Sequence, residues 1–215
     1  APHTDNVVTI YDTMVEAALE LNLPWSESEC GPKPDRNRVS FQDDIYPILY
    51  RLVNYQWVSQ RALRGHGDGK PGDFLRPDVL EMLSKPGGAG KRLRQFILSK
   101  VRNPHLDKDS NEAKAQANLF HMPPLSGDEG DATHGAPDTW LSVTRLQYDK
   151  LSKWSEDKFT SDWNGKVSVP FTESPAEGED VSPRDLTMAA LLACEGGAFY
   201  PGIVPAGDVP AVFWT

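Results

Sequence analysis

Between residues 43 and 64, Ile45, Ile48, Leu49, Leu52, Val53 and Trp57 fall three or four positions apart, which gathers them on one side of an α-helix. That stripe constrains the fold most, because a helix with one apolar side is stable only when another element covers it. Pro47 falls in the first turn, where a missing backbone donor costs little. Just upstream, Ser40 and Asp43 have the spacing of a capping box, with Asp in place of the usual Glu or Gln.

The same periodicity predicts further helices. Residues 6–21 carry Val7, Val8, Ile10, Tyr11, Met14, Val15, Ala18 and Leu19, and Pro24 ends the run. Arg76-Pro77 opens a helix through Val79, Leu80, Met82 and Leu83 that Pro86-Gly87-Gly88 stops. Residues 91–101 form a basic amphipathic helix with Leu93, Phe96, Ile97 and Val101 on its apolar side, closed by Asn103-Pro104. Thr144 and Gln147 make a second capping box, leading into a helix with Leu146, Leu151, Trp154 and Phe159 that Asn164-Gly165 ends. Ser182 as N-cap and Pro183 in the first turn open a last helix, which ends near Cys194. Only residues 167–169 read as β, and no segment repeats. The expected fold is therefore mainly α, about six helices in a single domain over residues 1–215. Residues 26–38, 122–138 and 164–181 are expected to be long loops or linkers, in keeping with 18 prolines, 17 glycines and a mean hydropathy of -0.50.

A net charge of -9 argues against binding to a phosphate backbone, so nucleic acid is not an expected partner. No run approaches the roughly 18 apolar residues of a membrane span. Asp5, Asp12, Glu16 and Glu20 make the first residues unlike a signal peptide, so a soluble chain is expected and its compartment is left open. The two cysteines, Cys30 and Cys194, allow at most one disulfide.

For chemistry, the informative string is Ala193-Cys194-Glu195-Gly196-Gly197-Ala198-Phe199-Tyr200-Pro201-Gly202-Ile203. It places a thiol in the last turn of a helix, before two glycines that let the backbone reverse and an aromatic-Pro-Gly turn that fixes the exit. From the residues alone, Cys194 is either a small buried hydrophobe or a thiol positioned for reaction. The common hydrolytic and phosphate-binding motifs are absent. Histidines 3, 66, 105, 121 and 134 show no metal-ligand spacing and read as surface or capping residues, so no metal is expected. The acidic turn at residues 126–131 lacks the spacing of a calcium loop, and Lys91-Arg92-Leu93-Arg94 reads as a solvated helix face. Six tryptophans are mostly expected in core or interface packing.

Several motifs in one order resemble a known family. They are Val39-Ser40-Phe41-Gln42-Asp43-Asp44-Ile45-Tyr46-Pro47-Ile48-Leu49, then Tyr55-Gln56-Trp57-Val58, then Met122-Pro123-Pro124-Leu125-Ser126-Gly127-Asp128. Gln147-Tyr148, Leu151, Trp154, Phe159 and Asp162-Trp163 follow, and the Cys194 string comes last. Most of residues 7–203 is similar to the C-terminal portion of the LodA-like cysteine tryptophylquinone oxidases, the family of L-lysine ε-oxidase and glycine oxidase. The resemblance implies that Cys194 supplies the sulfur of a cysteine tryptophylquinone, with Gly196 and Gly197 shaping the turn that positions it. It implies oxidative deamination of a primary amine or amino acid, releasing ammonia and hydrogen peroxide.

Two positions depart from the family pattern. The partner tryptophan is expected several tens of residues after the cysteine, whereas Trp214 alone follows Cys194. An acidic residue is expected about one helical turn before the cysteine, and Ala190 stands there. The chain is accordingly expected to be either a portion of an oxidase, completed by Trp214 or by a companion chain or oligomer, or a relative without the chemistry. That alternative is a non-catalytic binding or defence protein, carbohydrate-binding or cytotoxic, that keeps the family fold.

Overall fold

The computed structural model describes residues 7–27, 33–57, 60–126 and 132–165. Among these the architecture is mainly α with no sheet: seven α-helices, a π-helical turn, two 3-10 turns and three isolated β-bridges. The helices are α1 (Ile10–Glu20), α2 (Tyr46–Asn54), α3 (Gln60–His66), α4 (Pro77–Leu83), α5 (Gly88–Lys100), α6 (Asn111–Gln116) and α7 (Arg145–Ser155). The mainly α expectation holds. The helix leading to Cys194 and the short β candidate at 167–169 lie outside the described residues.

The long helix expected over residues 43–64 is broken into four pieces. A π-helical turn, Phe41–Ile45, precedes α2, and a 3-10 turn, Tyr55–Trp57, separates α2 from α3. The wide π turn explains a shift in its cap. Ser40 Oγ accepts from Asp43 N at 2.9 Å as expected, but the reciprocal acceptor for Ser40 N is Asp44 Oδ2 at 2.8 Å, one residue further on. The stripe itself survives through Val53, with Ile45, Ile48, Leu49, Leu52 and Val53 all buried. Trp57, at the end of the 3-10 turn, has left the stripe and is exposed.

Caps set the other boundaries. Thr9 and Asp12 form a capping box that starts α1 later than the apolar pattern suggested. The Thr144–Gln147 capping box starts α7, and Gln147 Nε2 also donates to Val7 O at 3.0 Å, pinning the chain before α1 to the start of α7. The helix α7 stops at Ser155 rather than running to Asn164, because Asp157 adopts the left-handed conformation at φ 67°.

The core gathers on Phe41, Ile45, Leu49, Val53, Leu83, Leu151 and Trp154, all between 0% and 1% exposed. Trp154 reaches from α7 to the end of α4, where its Nε1 donates to Leu83 O at 3.1 Å. Burying this indole therefore leaves no orphaned donor, which is the condition for placing a Trp at the centre of a core.

Candidate functional site

All the sequence-predicted site residues, Cys194, Gly196, Gly197 and Trp214, lie outside the described residues, as do Cys30, Ala190 and the acidic turn at residues 127–131. Residues 159–164 lie along the π turn: Thr160 N donates to Val39 O at 2.8 Å, and Phe41 N donates to Thr160 O at 3.2 Å. Gln42 N donates to Asp162 Oδ1 at 3.0 Å, and Ser161 Oγ donates to Ser84 O at 2.6 Å. The Trp163 ring packs 4.6 Å from that of Tyr46 and edge-on to Phe41 at 5.8 Å. Burial, with a lesser push from Tyr50, raises the Tyr46 phenol to about 12, so it stays neutral at physiological pH.

Behind this segment sits a cationic clamp. Arg94 has none of its side chain exposed, donates from Nη1 to Lys85 O at 2.7 Å, and reaches Met82 O and Leu83 O at 3.4 Å each. A cation there satisfies carbonyls at the C-terminal end of α4 and meets the negative end of its dipole. From Nη2 it donates to Asp157 Oδ1, and the guanidinium lies 5.3 Å from the Phe159 ring centre. Asp157 also accepts from Gly87 N at 3.0 Å and pairs with Lys91 Nζ at 3.0 Å. These contacts hold the Asp157 carboxyl at about 2, the Gly87 N–H contributing most, then Lys91 and Arg94.

The expected solvated face at Lys91-Arg92-Leu93-Arg94 is thus corrected for Arg94. The signal was present in register: Gly90, Arg94, Ile97 and Val101 follow one another at four, three and four residues, the spacing of a single helix side. Gly90 makes the room, since a Cβ there would stand 2.3 Å from Met82 O and 2.8 Å from Arg94 Nη1.

Arg102 is a second buried cation that the sequence did not reveal. It donates to five carbonyls, those of Gln116 (3.3 Å), Pro123 (2.8 Å), Asn118 (3.1 Å), His121 (3.3 Å) and Leu141. Its guanidinium stacks 4.9 Å from the Trp140 ring centre, and burial pushes it down to about 10, so it remains charged at neutral pH. Arg102 ties the exit of α5 to α6 and to residues 118–123 and 141, and lines a cleft of about 520 Å³. The ionic groups around that cleft are engaged: Lys108 pairs with Asp138 at 2.6 Å, and Glu16 accepts from Leu146 N at 2.7 Å.

Two further ion pairs, Arg51 with Asp12 at 2.9 Å and Lys150 with Asp44, are largely shielded and join α2 to α1 and α7 to the π turn. His105 pairs with Asp149 at 2.9 Å on the surface, as a surface role required. His66 does not fit that role, being 5% exposed with Nδ1 donating to Gly72 O at 2.7 Å. Among the described residues no group of three or more His, Cys, Asp or Glu side chains is placed to hold a metal, and no helix is long and apolar enough to cross a membrane. The described groups can therefore orient and rigidify; the candidate site residue Cys194 lies outside them.

Residues 124–205, which include Cys194, match the family described as L-lysine epsilon oxidase C-terminal domain. L-Lysine 6-oxidase of Marinomonas mediterranea is 24% identical over 94% of this chain. The fold is similar to the crystal structure of the L-Lys epsilon-oxidase from the same organism, with a TM-score of 0.53, 22% identity and 92% of this chain covered. It is likewise similar to the structure of that enzyme's Schiff base intermediate with L-Lys, with a TM-score of 0.55, 22% identity and 91% coverage. The chain spans only 28% of the length of these relatives.

Proposed function

Starting from a chain that resembles the C-terminal portion of LodA-like proteins and matches their L-lysine epsilon oxidase C-terminal domain over residues 124–205, we propose that it is the cysteine-bearing part of a quinone-dependent amine or amino-acid oxidase. The observation that carries this reading is that the matched span takes in Cys194 with Gly196 and Gly197. Cys194 is the sulfur donor of a cysteine tryptophylquinone, and its aromatic partner is Trp214 or a tryptophan of a companion chain or oligomer. The quinone supplies an electrophilic carbonyl able to take electrons from a primary amine and pass them to oxygen, yielding ammonia and peroxide.

The contributions proposed for this chain's own residues rest on the sequence for Gly196 and Gly197 and on placement for the described groups. Gly196 and Gly197 allow the chain to reverse after Cys194 without a Cβ in the way. The bonds from residues 159–164 to the π turn give the segment a rigid origin, and the clamp at Arg94 and Asp157 holds that origin to α4 and α5. Rigid support of this kind is what keeps a reacting group within the narrow geometry that catalysis requires. The substrate class is a primary amine or amino acid, on the strength of what the matched relatives act upon.

Peroxide release tests the reading. Addition of L-lysine, glycine or another primary amine to the protein isolated from its native host is expected to release hydrogen peroxide and ammonia, and Cys194→Ser is expected to abolish both. No peroxide with any of these amines, from protein that melts cooperatively, would leave the non-catalytic binding role.

A further inference from the structure

Two small cavities between α2, α3, α5 and residues 119–125, of about 250 and 170 Å³, share the wall residues Leu52, Gly65, His66 and Met122. We propose that they form one binding site for a small apolar carboxylic acid, its hydrocarbon part between Leu52 and Met122 and its acid group hydrogen-bonded to His66 Nε2 in the field of Arg61 and Lys100.

The chemistry of the walls selects that ligand. His66 is 5% exposed, and its Nδ1–H is committed to Gly72 O at 2.7 Å. Among the described residues nothing hydrogen-bonds its other ring nitrogen, and the residue lines both cavities, whose remaining walls are mostly apolar. An unpaired polar atom on a cavity wall gains a hydrogen bond when a ligand brings a partner. An acid supplies one in either ionisation state: as the neutral acid it donates O–H to Nε2, and as the carboxylate it accepts from the Nε2–H of a protonated ring.

Charge makes the same choice. The chain as a whole carries -9, yet among the described residues no carboxylate lines either cavity, whereas Arg61 lines one and Lys100 the other. Neither cation enters an ion pair among the described residues; each instead lies over an exposed ring, Arg61 over Phe120 at 5.9 Å and Lys100 over Phe96 at 5.5 Å. Anions are drawn to such a mouth and ammonium groups are repelled. The space is open because residue 65 has no side chain: a Cβ on Gly65 would meet nothing within 4 Å, although its backbone is helical and needs no glycine.

Sodium phenylacetate titrated into the 215-residue chain, followed by calorimetry and by NMR of the histidine rings, tests the site. The His66 ring signal is expected to shift saturably, with binding weakened on the order of tenfold by Gly65→Leu, whose side chain fills the junction, and by several-fold in Lys100→Gln. The neutral amide phenylacetamide is expected to bind roughly tenfold more weakly than the acid. An unmoved His66 signal, equal binding of acid and amide, or equal binding by Gly65→Leu that melts as the parent chain does would each overturn the proposal. Should Gly65→Leu not fold, the exposed Lys100→Gln variant decides, and unchanged affinity there overturns it as well.

Discussion

Arg94 and Asp157 meet where α5 passes the turn that ends α7, and the guanidinium, with no side-chain surface exposed, donates to a carboxylate whose backbone is left-handed. One ion pair thereby serves two ends of helices. The cation satisfies carbonyls closing α4, while the anion takes the Gly87 N–H and the Lys91 ammonium at the start of α5. Of the buried side-chain nitrogens and oxygens among the described residues, Arg94 Nε alone is left without a partner, so the guanidinium is held by its two terminal nitrogens.

Because the Asp157 carboxyl is held at about 2, below its ordinary 3.8, its contribution to stability has a definite sign with pH. It is fully present above the ordinary value and is lost as the pH falls from about 4 through about 2. In Asp157→Asn, which keeps the residue's tolerance of positive φ but removes the charge, the melting temperature is expected to be lower at neutral pH. The gap from the parent chain should close between about pH 4 and pH 2. A gap unchanged down to pH 2 would show that Asp157 is not the titrating partner of this clamp.

The two helical glycines with contrasting surroundings should respond with opposite sign. At Gly90 a methyl group would be driven into Met82 O and Arg94, and displacing the buried guanidinium makes Gly90→Ala cost about 2 kcal/mol or more. At Gly65 nothing lies within 4 Å, so Gly65→Ala is expected to stabilise by about 0.5 to 1 kcal/mol through helix propensity and a less entropic unfolded chain. Urea denaturation of both variants checks the pair.

These two glycines also show what the sequence made legible. The apolar stripe from Ile45 to Val53, the start of α4 at Pro77 and the Thr144–Gln147 cap could be read because propensity, spacing and capping all act over a few residues. The partners of Arg94 and the burial of Arg102 could not, since they depend on distant residues. Asp157, which clamps Arg94, lies 63 residues away, and Leu141, an acceptor for Arg102, lies 39 away. Of the candidate site, the sequence marked Cys194 and its glycines through the turn chemistry around them, and these lie outside the described residues.

Arg102 offers a separate test of how a buried cation holds the described fold together. Arg102→Lys keeps the charge but has three donors on one nitrogen, too few and too localised to serve five carbonyls around a planar fork. A loss of about 2 to 4 kcal/mol is expected, with the carbonyls of Pro123 and Leu141 left unpaired. Chemical denaturation measures it, and a loss below about 1 kcal/mol would mean that charge rather than the fork is what this position needs.

The proposed chemistry rests on Cys194, and peptide mapping by mass spectrometry of protein from its native host examines that residue directly. Under denaturing conditions with an alkylating reagent, Cys194 is expected to resist alkylation and to be recovered in a peptide joined by a thioether to an oxidised tryptophan, either Trp214 or one from a companion chain. Full alkylation of Cys194, with every tryptophan recovered at its unmodified mass, would contradict the quinone and with it the oxidase reading.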